Sequence, residues 1–190
     1  MKKPRVGVLS LQGGIEEHES HLRQAGAEPI RIKKEGQLSQ CQALILPGGE
    51  STSIGKTLLE TSLKDEIVEA AEKGMAIWGT CAGLILLANN IENQTNTYLN
   101  LLDITVSRNG YGRQRDSFVE KVTLPQISQK PIPLVFIRAP YVKEVEGDTQ
   151  VLFSLKDRIV AVQDKNILGT SFHPELTGDI SFHKYFINMI

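Results

Sequence analysis

Four short runs rich in apolar and β-branched residues, spaced by stretches of helical periodicity, constrain this chain more than any other feature. Runs at residues 5–11, Glu28–Ile32 and Ala43–Leu46 are joined by a helical pattern at 15–25 and other connections, and residues 75–78 supply the fourth run. Strands alternating with helices predict βαβ units and a parallel sheet. Before the fourth run, Leu63, Ile67, Val68 and Ala71 share one face of a helix predicted over 62–73, which Gly74 is placed to end. The run 75–78 then reads as a buried central strand. After Asn89 the pattern changes to strands with short connections, at 119–124, 133–137, 151–154, 159–163 and 167–172. The clearest hairpin turns at Asp164-Lys165-Asn166, and an apolar-striped helix closes the chain from Asp179 onward. At 190 residues, with no repeat or linker, residues 1–190 are expected to form a single α/β domain. Its central sheet should be mixed and flanked by helices.

Charge narrows the function. Lys and Arg total 21 against 22 Asp and Glu, so no global field recruits nucleic acid or an anionic membrane, and a small neutral or zwitterionic substrate fits better. The opening Met-Lys-Lys-Pro-Arg lacks the apolar stretch of a signal peptide, and no apolar run has the length to span a bilayer. A cytoplasmic location is expected. With only Cys41 and Cys81 present, a disulfide framework is not expected, and each thiol needs its own explanation.

Cys81 has one. Gly79-Thr80-Cys81-Ala82-Gly83 follows a predicted strand and precedes the apolar helical run 84–88, which is the arrangement of a nucleophile elbow with cysteine in place of serine. Glycines on either side remove side chains that would collide in so sharp a turn, and the unpaired amides at the helix start favour a thiolate. Cys41 precedes a buried strand and reads as a core or boundary residue. A cysteine nucleophile attacking an amide also needs a proton carrier for the departing ammonia. Of the four histidines, His18 and His21 are expected on a solvated helix face and His183 on the last helix. His173 differs, because it ends a strand and is followed by Pro174 and Glu175. Proline biases His173 toward an extended backbone, in which residues two apart point the same way, so Glu175 can hold the imidazole in one tautomer. For that tripeptide alone, a loop histidine beside a surface glutamate is an equal alternative.

A glycine turn follows the strand Ala43–Leu46, in Pro47-Gly48-Gly49-Glu50-Ser51. Its bare amides suit either an oxyanion hole, shared with the Ala82 N–H, or a phosphate. Gly55-Lys56-Thr57 brings a Walker A loop to mind, but that loop needs glycine at position 50, which is Glu. The phosphate reading is set aside.

Together these segments resemble the class I (triad) glutamine amidotransferases, and among them the glutaminase subunits of pyridoxal 5′-phosphate synthases. The likeness runs through Leu11-Gln12-Gly13, Pro47-Gly48-Gly49-Glu50-Ser51-Thr52, the Cys81 elbow, Arg108-Asn109-Gly110-Tyr111-Gly112-Arg113-Gln114, Phe136-Ile137-Arg138-Ala139-Pro140 and Ser171-Phe172-His173-Pro174-Glu175-Leu176. It implies a flavodoxin-like fold and a Cys81, His173, Glu175 triad that hydrolyses L-glutamine. The implied glutamine pocket comprises Gly49, Glu50, Ser51, Arg108, Ile137 and Arg138, with Gly48, Gly49 and Ala82 as oxyanion donors. Neither metal nor cofactor is implied. The implied partner is a synthase subunit that takes up the ammonia, and Gln12 is the candidate link between docking and the Gly48-Gly49 turn. Two other readings stay open on the residues alone: a triad hydrolase of another pathway or substrate, and a non-catalytic module on the same fold.

Overall fold

The computed structural model describes residues 3–108 and 117–190. Asn109 to Gln114, most of one motif above, lie outside them. Elements in chain order are β1 (Arg5–Leu9), α1 (Ile15–Gln24), β2 (Glu28–Ile32), β3 (Ala43–Leu46), α2 (Ser51–Leu59), α3 (Leu63–Glu72), β4 (Ala76–Thr80) and α4 (Ala82–Leu87). There follow β5 (Ala88–Ile91), β6 (Leu102–Ser107), β7 (Ser117–Leu124), β8 (Ser128–Ile137), β9 (Tyr141–Val145), β10 (Gln150–Leu155), β11 (Arg158–Asp164), β12 (Ile167–Thr170) and α5 (Ser181–Ile187).

The main sheet runs β2-β1-β3-β4-β12-β11-β9-β6-β5, with β10 paired to β11. Its first five strands are parallel: β1 to β4, as the βαβ pattern predicts, joined by β12, which the sequence pattern placed only in a hairpin. Beyond β12 it turns mixed, since β11 and β9 enter antiparallel and β5 runs parallel to β6. The hairpin expected at Asp164-Lys165-Asn166 is the β11–β12 pair, in which Asp164 faces Ile167.

Why the sheet is covered on both faces follows from its strands. In β3 all four residues are buried. Leu44 and Leu46 join α2, α3 and α4 through Ile54, Leu58, Ile67 and Leu84 in one core cluster. Ala43 and Ile45 point the other way, to a cluster holding Trp78, Leu22 of α1 and Phe182 and Phe186 of α5. The separate β7–β8 ribbon closes this second cluster, as Phe136 meets Phe172 edge-on at 5.7 Å and Phe172 meets Phe182 at 5.0 Å.

Several expectations need correction. The strands β5, β6 and β9 and the helix α2 were not anticipated, and β8 begins five residues earlier than position 133. His18 and His21 do not sit on a solvated face: both are buried, as is His183, which does lie on the last helix. The physical reason is that their partners lie more than 150 residues away, across the α1–α5 packing, where local periodicity carries no information.

Candidate active site

The turns that leave β1, β3, β4 and β12 meet at the carboxyl ends of the parallel strands, where open α/β sheets collect ligands. Gln12, Gly48-Gly49, Cys81 and His173 come from these four turns in that order.

Cys81 caps α4 with φ 50° and ψ −104°, a conformation that costs a non-glycine residue about 1–3 kcal/mol and survives only where packing enforces it. Packing does so here. A Cβ on Gly79 would strike the carbonyl of Gly83, and a Cβ on Gly83 would strike the carbonyl of Leu46, so α4 presses directly onto β3 and β4. The elbow glycines are therefore close-approach residues. The thiol, largely buried, has its Sγ 4.0 Å from the carbonyl of Ile137 at the end of β8.

His173 is anchored by its backbone N–H, which donates to Val135 of β8 at 2.8 Å. Its Nδ1 lies 2.7 Å from Oε1 of Glu175. The two side chains converge as expected but by another route, because Pro174–Leu176 is a 3₁₀ turn rather than an extended segment. Burial alone would lower the His173 pKa, yet hydrogen bonds to Cys81 and Glu175 and the charges of both raise it to about 10. The imidazolium is thus the favoured form of His173 at neutral pH. Glu175 is 3% exposed, and although burial opposes its charge, His18 and His173 hold it below the ordinary carboxylate range.

Gly48 fits beneath this pair: an added Cβ would lie 2.5 Å from His173 Cε1 and 3.5 Å from Cys81 Cβ. The Glu50 N–H donates to Gln12 Oε1 at 2.8 Å, tying the turn after β3 to the turn after β1.

The thiol opens onto a cavity of about 470 Å³, within the usual range of small-ligand sites. Gly49, Glu50, Ser51, Arg108, Ile137 and Arg138 all line it, as do Ala82 and Gln12. Thr52, Ile85 and Pro140 also contribute, and sequence reasoning missed them as pocket residues. Thr52 and Pro140 lay inside quoted motifs, so only their orientation was missing. Arg108 is held in place by bonds to Thr52 Oγ1 at 3.0 Å and to the hydroxyl of Tyr98 at 3.2 Å. Glu50 and Arg138 stand 3.8 Å apart with side chains 68% and 70% exposed, giving the mouth one anion and one cation.

A cysteine on a strained strand-to-helix turn, sharing a pocket with an imidazole that a buried carboxylate orients, matches the constellation of a triad amide hydrolase. The chain belongs to the SNO glutamine amidotransferase family, whose model matches residues 8–190. It is 51% identical over 184 residues to the pyridoxal 5′-phosphate synthase subunit PdxT of Clostridium kluyveri, covering 97% of this chain and 98% of that one. With the PdxT of Ruminiclostridium cellulolyticum it shares 49% identity over the full length of both. Among solved structures, one described as a glutamine amidotransferase is 41% identical with a TM-score of 0.91, covering 97% of each chain. PurLQS from Thermotoga maritima, at 20% identity and a TM-score of 0.67 over 98% of this chain and 99% of that one, shares the fold alone.

Proposed function

We propose that Cys81, His173 and Glu175 carry the glutaminase half-reaction of a pyridoxal 5′-phosphate synthase. The chain hydrolyses L-glutamine to L-glutamate and ammonia and passes the ammonia to a synthase subunit. One observation carries the residue assignment: Cys81 and His173 line one pocket whose rim bears both signs of charge, and Glu175 Oε1 lies 2.7 Å from His173 Nδ1 behind them.

The Cys81 thiolate attacks the side-chain amide carbon of glutamine, and the His173 imidazolium protonates the nitrogen as the C–N bond breaks. Glutamate then remains as a thioester on Cys81. Neutral His173 next takes a proton from water, which attacks the thioester and restores the thiolate. Negative charge on the amide oxygen is met by the Ala82 N–H, which as the first residue of α4 has no acceptor within the helix, and by an N–H of Gly48 or Gly49. At the rim, Glu50 receives the α-ammonium, and Arg108 or Arg138 the α-carboxylate.

Gln12 links this chemistry to the partner. The Gln12–Glu50 bond and the close approach of Gly13 to the carbonyl of Gly48 make the two turns move together, so docking near Gln12 sets the direction of the Gly48-Gly49 amides. Among the described residues no helix is long and apolar enough to cross a membrane. A cytoplasmic setting suits the reading, since Cys81 must stay reduced to act and both cysteines are free thiols.

The test is release of ammonia and glutamate from free glutamine, with and without purified synthase, for wild type, Cys81→Ala and Gln12→Ala. Wild-type activity that appears only with synthase, is weakened in Gln12→Ala and is absent from Cys81→Ala supports the whole reading. Peptide cleavage instead of glutamine hydrolysis points to another triad hydrolase. Equal wild-type rates with and without synthase remove the docking switch.

A further inference from the structure

We propose that His18 is a positioning residue for this reaction, donating its Nε2 proton to the second carboxylate oxygen of Glu175 in a tautomer fixed by His183. The inference rests on the triad reading above and extends it behind Glu175, away from the thiol.

Three elements distant in sequence meet there: α1 brings His18, α5 brings His183, and the turn after β12 brings Glu175. His18 and His183 are 0% exposed. Glu175 Oε1 is occupied by His173, whereas Oε2 is buried, has no hydrogen bond among the described residues, and lies 3.5 Å from Nε2 of His18. His18 Nδ1 is 2.9 Å from His183 Nε2, and Thr80 Oγ1 is 3.4 Å from His18 Nε2. No group of three or more His, Cys, Asp or Glu among the described residues is arranged for a metal ion, so the cluster needs another explanation.

Burial lowers the pKa of both His18 and His183, only partly opposed at His18 by the Glu175 charge, so both rings are neutral and each carries one N–H. Two arrangements satisfy the His18–His183 contact. In one, His18 Nδ1–H donates to His183; Nε2, which can then only accept from the Thr80 hydroxyl, turns a lone pair rather than a proton toward the Glu175 carboxylate, and the remaining His183 proton sits on buried Nδ1, which has no partner among the described residues. That arrangement leaves an anion against a lone pair and a buried donor unsatisfied, each costly. In the other, His183 Nε2–H donates to His18 Nδ1, and His18 Nε2–H points at Glu175 Oε2 with Thr80 Oγ1 as a shared acceptor. Only a bare acceptor on His183 is left over. The second arrangement wins, and it gives a directed series from His183 through His18 and Glu175 to His173 and Cys81.

Its effect is to keep the carboxylate charged and prevent it from turning Oε1 away from His173. Titratable groups facing the series are Glu17 and His21 of α1, His183 of α5, His173, Glu175 and the Cys81 thiol. His21 stands aside, because its ring nitrogens face the carbonyls of Glu17 and Thr177.

The experiment uses the full chain with its synthase and free glutamine. His18→Phe keeps ring volume without a donor, and His18→Gln restores an N–H near the position of Nε2. His18→Phe should lower kcat by roughly 10- to 100-fold, the factor carried by one hydrogen bond to an ionised group, with KM unchanged. Its pH profile should narrow from both sides, because a less supported carboxylate is protonated at higher pH and a less supported imidazolium loses its proton at lower pH. His18→Gln should recover much of the rate and the width. Independently of activity, isotope-edited imidazole NMR of the wild type should find the His18 proton on Nε2. A proton on Nδ1, or a His18→Phe enzyme with wild-type kcat and pH profile, overturns the proposal. If His18→Phe does not fold, the wild-type tautomer decides. Survival of activity in Cys81→Ala would overturn the triad reading instead, so the two failures are distinguishable.

Discussion

The two sides of His173 are built on opposite principles. In front, toward the pocket, Glu50 and Arg138 are mostly exposed and 3.8 Å apart, and on the proposed reading they exchange one another for the charges of an amino acid. Behind, Glu175, His18 and His183 are sealed in the layer between α1, α5 and the sheet. Charge at the mouth can be screened and rearranged, whereas charge at the rear has a fixed geometry and no water to relax it. On the proposed reading the site separates recognition, which must adapt to a ligand, from proton handling, which must not.

The sharpest challenge to that division is at the rear. Glu175→Gln preserves shape but cannot hold the correct imidazole tautomer, and turnover should fall by up to about 10⁴-fold with the fold intact. A fully active Glu175→Gln enzyme, beside a dead His173→Ala, would reduce the triad to a dyad. Next comes Gly48→Ala, whose Cβ would lie 2.5 Å from His173 Cε1 and must displace the ring from beneath. Displacement of the order of 1 Å should cost about 10²-fold in kcat, read against an unchanged melting temperature. Unchanged kcat would show that the imidazole is not held where it stands.

The comparison also has a signature in stability against pH. His173 has its pKa raised to about 10 from 6.5, so its contribution is complete below pH 6.5 and is lost as pH climbs toward 10. His18 and His183 are shifted downward, so their contribution is present above 6.5 and is lost as pH falls below it. Melting temperature should decline on both sides, and His173→Gln should abolish the alkaline decline while leaving the acid one. Loss of both together would mean that the two sides are not independent. Smallest of all should be Glu50→Gln, which should raise KM for glutamine without moving the melting temperature. A clear loss of stability there would contradict an adaptable mouth.

What could be read in advance follows the same line. The elbow was legible because Gly79, Cys81 and Gly83 act on each other locally, and β3 and β4 because wholly buried parallel strands are continuous apolar runs. Helix α2 was hidden by Gly55, a poor helix former whose presence the ring of Tyr98 explains: any Cβ there would strike it. The same helix absorbs Gly55-Lys56-Thr57, so the Walker-like residues face no phosphate loop. In β9 exposed Lys143 and Glu144 masked the strand, which pairs with β6 nearly forty residues earlier. The buried histidines were misread because α1 shows charge at Glu16, Glu17, Glu19 and Arg23 around them, and only the arrival of α5 and Glu175 distinguishes inside from outside.

The two cysteines allow the most direct measurement of the central claim. Cys41 is buried, and burial raises its pKa to about 11, which disfavours its thiolate, while Cys81 lines the pocket together with His173. An electrophilic glutamine analogue should be incubated with the chain and its synthase, and the adduct mapped by mass spectrometry of peptides. The account requires one adduct, on Cys81, blocked by excess glutamine and matched by loss of ammonia release. An unmodified Cys81, or an adduct on Cys41 with Cys81 spared, would contradict it.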